Sequence, residues 1–122
     1  MHISLETPEK HAIQSYSDKQ IQIASIVYDH SLIVSKQEIV TELAIKNIQD
    51  INEYYLELLL KQQPELIIIG HNNTDILTPI EVIAKLAQEG IGIEFMSIGA
   101  ACRTYNVLLS ELRAVVMGII LM

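Results

Sequence analysis

Cysteine, tryptophan, basic residues and long apolar runs are what this chain has least of, and each shortage excludes something. A single cysteine, Cys102, rules out an internal disulfide and suits a reducing compartment. Eight Lys and Arg stand against fifteen Asp and Glu, for a net charge of −7. The few cations are scattered, so there is no basic face for nucleic acid or an anionic lipid surface. No apolar run approaches the roughly 20 residues a spanning helix needs, so no membrane span is expected. The start, MHISLETPEKH, lacks the basic patch and apolar stretch of a signal peptide, and the expectation is therefore a cytoplasmic protein. His2, His11, His30 and His71 fall in no ligand spacing such as HxxxH or CxxC, so no metal is expected, nor any cofactor.

What the chain does have is aliphatic mass. Half of its 122 residues are hydrophobic, with aromatics only 5%. Ile in short runs favours a core containing a sheet. Neither repeat nor linker interrupts the chain, so one domain over 1–122 is expected, with 1–10 as a loosely ordered lead-in. Residues 11–34 alternate in short segments parted by polar pairs and read as β-hairpins. Residues 39–45 suit either a strand or a helix, and their frequent β-branched residues favour a further strand.

At Asp50 the period changes to helical, with Ile51, Tyr54, Tyr55, Leu58 and Leu59 on one stripe. Asp50 is placed to cap that helix and Glu53 to complete a capping box. Pro64 ends it, and LIIIG at 66–70 reads as a strand buried on both faces. Thr78-Pro79-Ile80-Glu81 signals a second helix, capped by Thr78 with Pro79 in its first turn and burying Val82, Ile83, Leu86 and Ala87. Gly90 suits the left-handed residue that ends it. Strand 91–96, a helix over about 99–112 with Ala101, Tyr105, Leu108 and Leu112 on one side, and an apolar strand at 115–121 complete an α/β fold. Its mixed sheet carries helices and an N-terminal β-hairpin layer.

The stretch GIGIEFMSIGAACRTYNVLLSELR, from Gly90 to Arg113, is the most particular part of the sequence. With 66–70 it resembles the signature of a small α/β family of unknown function. That family includes mitochondrial complex I assembly factor 3, the adipogenesis-associated domain proteins and many stand-alone bacterial members. The shared pieces are 66–70, 90–96, and 100–106 with Glu111 and Arg113. The resemblance implies a three-layer fold with a central mixed five-stranded sheet, and it implies no reaction. This chain departs from the family pattern at Ile98 (Thr there), at Leu112 (Gly there) and at Gly70-His71-Asn72 (GTG there).

In open α/β sheets, ligands bind beyond the carboxyl ends of parallel strands, near helix N-termini. Two such ends are expected to share a rim: His71, Asn72 and Asn73, with Thr74 and Asp75 following, and Ser97, Gly99, Cys102 and Arg103. Amides of the last helix with Arg103 would suit a carboxylate or phosphate. The competing reading is that His71, Asn72 and Asp75 satisfy loop amides, while Arg103 pairs with an acid such as Glu94. Cys102, near a helix start and beside Arg103, has two features that lower a thiol pKa, yet a lone Cys between alanines is more often an inert small hydrophobe. Tyr54 and Tyr55 read as core, with a partner-binding face as the alternative.

No self-sufficient catalytic set emerges. The leading expectation is a non-enzymatic interaction or assembly protein whose partner is another protein or complex, by resemblance a respiratory-chain one. The alternative is a small-anion binder or enzyme at the rim. So apolar a chain also leaves surface for a homodimer, at no position the sequence marks.

Overall fold

The computed structural model describes residues 9–73 and 78–122. At its centre is strand β6 (Leu66–Gly70), which has no charged residue and buries Ile67, Ile68 and Ile69 completely. It is parallel to β7 (Gly92–Met96) on one side and to β8 (Val115–Ile119) on the other. Beyond β8 lie β4 (Leu32–Ser35) and β5 (Ile39–Val40), both antiparallel to their neighbours, so the order is β5-β4-β8-β6-β7. This is the mixed five-stranded sheet the resemblance implies. Alternation along β6 and β8 sends Ile68, Val115, Met117 and Ile119 to one core, and Ile67, Ile69, Val116 and Ile120 to the other.

The first core is closed by helix α3 (Ile98–Ser110) and by a separate antiparallel sheet of β1 (Ile13–Tyr16), β2 (Ile21–Ile23) and β3 (Ile26–Tyr28). The second is closed by α1 (Glu53–Leu60) and α2 (Ile80–Gln88). Three layers result, as expected. Among the described residues the hairpin layer holds three strands, because β4 is buried throughout and belongs to the central sheet. Ala24 and Ser25, at φ 51° and 66°, form the two-residue turn between β2 and β3. Two successive left-handed residues match the twist of the flanking strands.

Several sequence-based boundaries move. The strand expected over 39–45 stops at Val40, and the chain then runs without regular structure to a 3-10 turn at Ile48–Asp50. Asp50 does not cap α1. It completes a capping box with Asn47 on that 3-10 turn, and Asn52 caps α1 by accepting from the Tyr55 amide at 2.9 Å. Glu53 reaches instead to Lys85 on α2, at 2.9 Å. Tyr55 is core, whereas Tyr54 is 67% exposed, because the buried face of α1 runs through Tyr55, Leu56 and Leu59. Helix α2 begins one residue after Pro79, with no side-chain cap; Thr78 lies outside it, and Ala87 is exposed while Leu86 is buried.

Both crossover helices end in Schellman motifs. After α2, the Gly90 amide donates to the Ala87 carbonyl at 3.0 Å and the Ile91 amide to Leu86 at 3.0 Å, with Gly90 at φ 77°. After α3, the Leu112 amide donates to Leu109 and the Arg113 amide to Leu108, both at 3.0 Å. The left-handed residue here is Leu112, at φ 61° and 74% exposed, so it is not on the buried side where the helical spacing put it. A leucine thus holds a conformation that favours glycine, at the position where the resembled pattern has glycine. A left-handed L-residue costs about 1–2 kcal/mol, part of which glycine would return as unfolded-state entropy. Leu112→Gly is expected to raise stability by about 0.5 kcal/mol in chemical denaturation; a loss would mean that the exposed side chain makes contacts after all.

Candidate functional site

The connections after β6 and β7 leave the sheet on opposite faces. β6 leads to α2 over the second core, and β7 leads to α3 over the first. Adjacent parallel strands that part in this way form a topological switch point, where open α/β sheets commonly hold ligands. The candidate residues His71, Asn72, Asn73, Ser97 and Gly99 all lie at this end of the two strands.

The switch point is closely filled. A Cβ on Gly70 would stand 2.8 Å from Ala101 Cβ, 2.8 Å from Ile119 Cδ1 and 3.4 Å from Ile98 Cα, so the first turn of α3 packs directly onto the end of β6. The His71 amide donates to the Met96 carbonyl at 3.0 Å, which prolongs the β6–β7 ladder past its last residue pair.

On the second-core side, the His71 ring meets Phe95 edge-on, with centroids 6.2 Å apart, and burial pushes the imidazole below its ordinary pKa. Its Nδ1 accepts from the Asn73 amide at 3.0 Å. The Asn73 side chain accepts from the Ile48 amide at 3.3 Å and donates to Met122 Sδ at 3.3 Å. Asn72 is half-buried, and its side chain makes no hydrogen bond among the described residues. Thr74 and Asp75 lie outside the described residues.

On the first-core side, Ser97 caps α3, its Oγ accepting from the Ala100 amide at 3.3 Å. The cap hydroxyl thus comes from Ser97, while Ile98, where the family has Thr, is buried. Arg103 donates from Nη1 to Tyr16 Oη at 2.6 Å. Glu94, its expected partner, is exposed and pairs with no cation among the described residues. Gly99 lies beneath that contact, since a Cβ there would be 3.1 Å from Tyr16 Cε1 and 3.2 Å from Arg103 Nη1. The central sheet therefore stands between the His71 ring and Arg103.

Arg103 belongs to a set that spacing alone could not reveal. Tyr105 Oη donates to the His11 carbonyl at 3.1 Å. The Asn106 amide accepts from Ile13 N at 2.8 Å and donates to Ile13 O at 2.9 Å, as a neighbouring strand would, at the edge of β1 away from β2. Three of four consecutive helical positions, Arg103, Tyr105 and Asn106, thus grip residues 11–16 across more than eighty positions of sequence. Arg113 likewise reaches Glu65 at 2.5 Å and joins the entrances of β6 and β8.

Cys102 is fully buried, and burial pushes its thiol up to about 12 despite the nearby Arg103 charge. The thiolate is the reactive form, so iodoacetamide at neutral pH is expected to leave native Cys102 unmodified and to label it fully in denaturant. Rapid native labelling by intact-mass spectrometry would contradict this placement.

The family described as "Protein of unknown function (DUF498/DUF598)" matches residues 13–120. A curated relative from Francisella tularensis subsp. holarctica (strain LVS), named "13 kDa major membrane protein", is 38% identical over 89 residues, 72% of each chain. A Xanthomonas campestris protein solved by NMR is 26% identical, with a TM-score of 0.81 over 99% of this chain and 92% of that one. A crystal structure described as an outer membrane protein from Bartonella henselae is 28% identical, with a TM-score of 0.71 over 93% of this chain and 97% of that one. A Bordetella pertussis protein described as a Mth938-like domain shares the fold at 22% identity and a TM-score of 0.77, over 93% of this chain and 87% of that one.

These relatives correct the cytoplasmic expectation, since two of them carry membrane descriptions. Among the described residues no helix is long and apolar enough to cross a membrane. The physical reason for the miss is that a missing apolar run bears only on spanning helices, whereas membrane association also comes through surface contact or a bound partner. The sequence match over residues 13–120 and the shared three-layer fold place this chain in the DUF498/DUF598 family of proteins of unknown function, with the Mth938-like fold.

Proposed function

We propose that the protein is a non-enzymatic interaction protein, acting as one domain in the assembly of a membrane-associated complex. The observation that carries this reading is the use made of the signature residues. Arg103, Tyr105 and Asn106 hold the N-terminal strand, and Arg113 holds a strand entrance. Cys102 is buried with a raised pKa. The side chains that looked most chemical are engaged in positioning surfaces, which suits a protein whose work is done by those surfaces. The membrane descriptions of two relatives support a membrane-bound complex as the place of action, and the resemblance to complex I assembly factor 3 supports assembly of a respiratory complex.

The test is affinity purification from solubilised membranes and from the soluble fraction of the native host, with mass spectrometry of retained proteins. A defined membrane complex in stoichiometric amount is expected. Recovery of the protein alone from both fractions would overturn the reading.

A second reading, a small anion held at the β7–α3 turn by Ser97, Gly99 and Arg103, without the His71 ring on the far side of the sheet, is favoured by the switch point alone. It requires a carboxylate or phosphate to raise the melting temperature of wild type but not of Arg103→Ala.

A further inference from the structure

His71 Nδ1 accepts a hydrogen bond from the backbone amide of Asn73. A main-chain amide can only donate, so the neutral ring must leave Nδ1 bare and carry its proton on Nε2. A second proton then has one place to go, which is Nδ1. The imidazolium would set one N–H against another, so protonation breaks this bond and the bond resists protonation. His11 differs, because its Nδ1 lies 2.7 Å from the Ser35 carbonyl and donates there in either charge state.

Asn73 in turn joins three parts of the chain. Through its side-chain bonds to the Ile48 amide and Met122 Sδ, it ties the loop after β6 to the 3-10 turn and to the residues after β8. The anchors on either side do not depend on the ring's charge. The His71 amide stays on Met96, the Ile120 amide donates to the Gly70 carbonyl at 2.9 Å, and the 3-10 turn keeps its own capping box and its buried Ile48. What can come free is therefore narrow: Asn72 and Asn73, both half-buried, and exposed Met122.

The charges on the elements around the ring do not favour its cation. On β7, Glu94 points to the opposite face from Phe95. At the 3-10 turn, Asp50 is taken by the Lys46 and Asn47 amides, and the Lys46 side chain is exposed. On α2, Glu81 stands in the first turn and Lys85 pairs with Glu53. The cause that lowers the His71 pKa is burial, and among the described residues no carboxylate offsets it.

We propose that His71 and Asn73 form a proton-operated latch, which holds the loop after β6 to Ile48 and Met122 while the ring is neutral and releases it when Nδ1 is protonated. Whatever meets the rim at the end of β6 then finds one surface in neutral solution and another in acid. The folded ring binds its proton less tightly than the unfolded one. The stability that His71 contributes is thus full above about pH 6.5, falls as the unfolded ring takes its proton first, and levels off below the folded pKa.

Nuclear magnetic resonance on the full chain tests it, with the His71 ring identified as the imidazole that His71→Gln removes. The expected neutral form carries its proton on Nε2. As pH falls through the ring's midpoint, protection of the Asn73 amide, corrected for its intrinsic exchange rate at each pH, should drop by about tenfold or more. The Ile48 amide and the Met122 methyl should shift with the same midpoint. In His71→Gln, whose Oε1 accepts at every pH, Asn73 protection should not change with pH. Asn73→Ala keeps the backbone amide, so the ring should keep its tautomer while Ile48 and Met122 no longer follow its titration. A neutral ring protonated on Nδ1, or Asn73 protection unchanged across the His71 titration, would overturn the proposal. So would an Ile48 or Met122 response that persists in Asn73→Ala, or loss of protection throughout the molecule at the same midpoint, since that is unfolding and not release.

Discussion

Gly118→Ala is expected to destabilise the protein by about 3 kcal/mol, with about half of that loss absent when Tyr55 is phenylalanine. A Cβ on Gly118 would stand 2.1 Å from Tyr55 Oη and 3.2 Å from Cζ, in the middle of buried strand β8. The missing side chain is the notch into which the α1 tyrosine fits. Its hydroxyl has no hydrogen-bond partner among the described residues, and burial drives its pKa far above the ordinary phenol value. A buried hydroxyl without a partner costs about 1–3 kcal/mol of lost hydration. Tyr55→Phe alone is therefore expected to raise stability by about 1 kcal/mol, the opposite of the usual effect of deleting a tyrosine hydroxyl.

The informative quantity is the coupling. Gly118→Ala in the Tyr55→Phe background meets ring carbon instead of oxygen, and its cost is expected to fall to about 1–2 kcal/mol. Urea unfolding of the two single variants and the double variant gives all three numbers. Additive losses would mean that α1 shifts to admit the methyl group, and that the notch does not fix its position.

How much of this was legible follows from the range of each interaction. β6 and β8 were legible because a continuous apolar run suits a strand buried on both faces. Gly90 was legible because its conformation penalises side chains. Leu112 was not, since nothing local marks a leucine that takes a glycine's place in a Schellman motif. The turn at Ala24-Ser25 hid for the same reason, lacking the Asn-Gly that usually marks it. Tyr54 and Tyr55 share a helical stripe within one residue, and only packing on Gly118 chooses between them.

The candidate site was legible as a location and not as an arrangement. β6 and β7 do end together, but the sheet between the His71 ring and Arg103 follows from α2 and α3 covering opposite faces. The partners of Arg103, Tyr105 and Asn106 lie in residues 11–16, and a single sequence carries no record of such distant pairings. Arg and Cys were noticed for their chemistry, and Asn106, whose amide makes two hydrogen bonds to one strand residue, was passed over.

Asn106 accordingly carries the second large effect. Asn106→Ala is expected to cost about 2 kcal/mol, because it leaves Ile13 N and O half-buried at a strand edge with neither partner. Asn106→Asp separates the two hydrogen bonds. An aspartate oxygen still accepts from Ile13 N, but its other oxygen, when ionised, faces the Ile13 carbonyl that the amide had satisfied. The ionised form is therefore disfavoured in the folded state, and the folded carboxyl titrates above the unfolded value of about 3.9. Below about pH 4 the carboxyl is protonated in both states and can donate to Ile13 O, so the variant is expected to approach wild type. As pH rises, the unfolded chain ionises first, and the deficit grows until the folded carboxyl also loses its proton. Measured as the difference from wild type in urea at each pH, the deficit should rise between about pH 4 and 6 and then level off. A deficit independent of pH would show that the side chain turns away from β1, leaving Tyr105 and Arg103 to hold the strand.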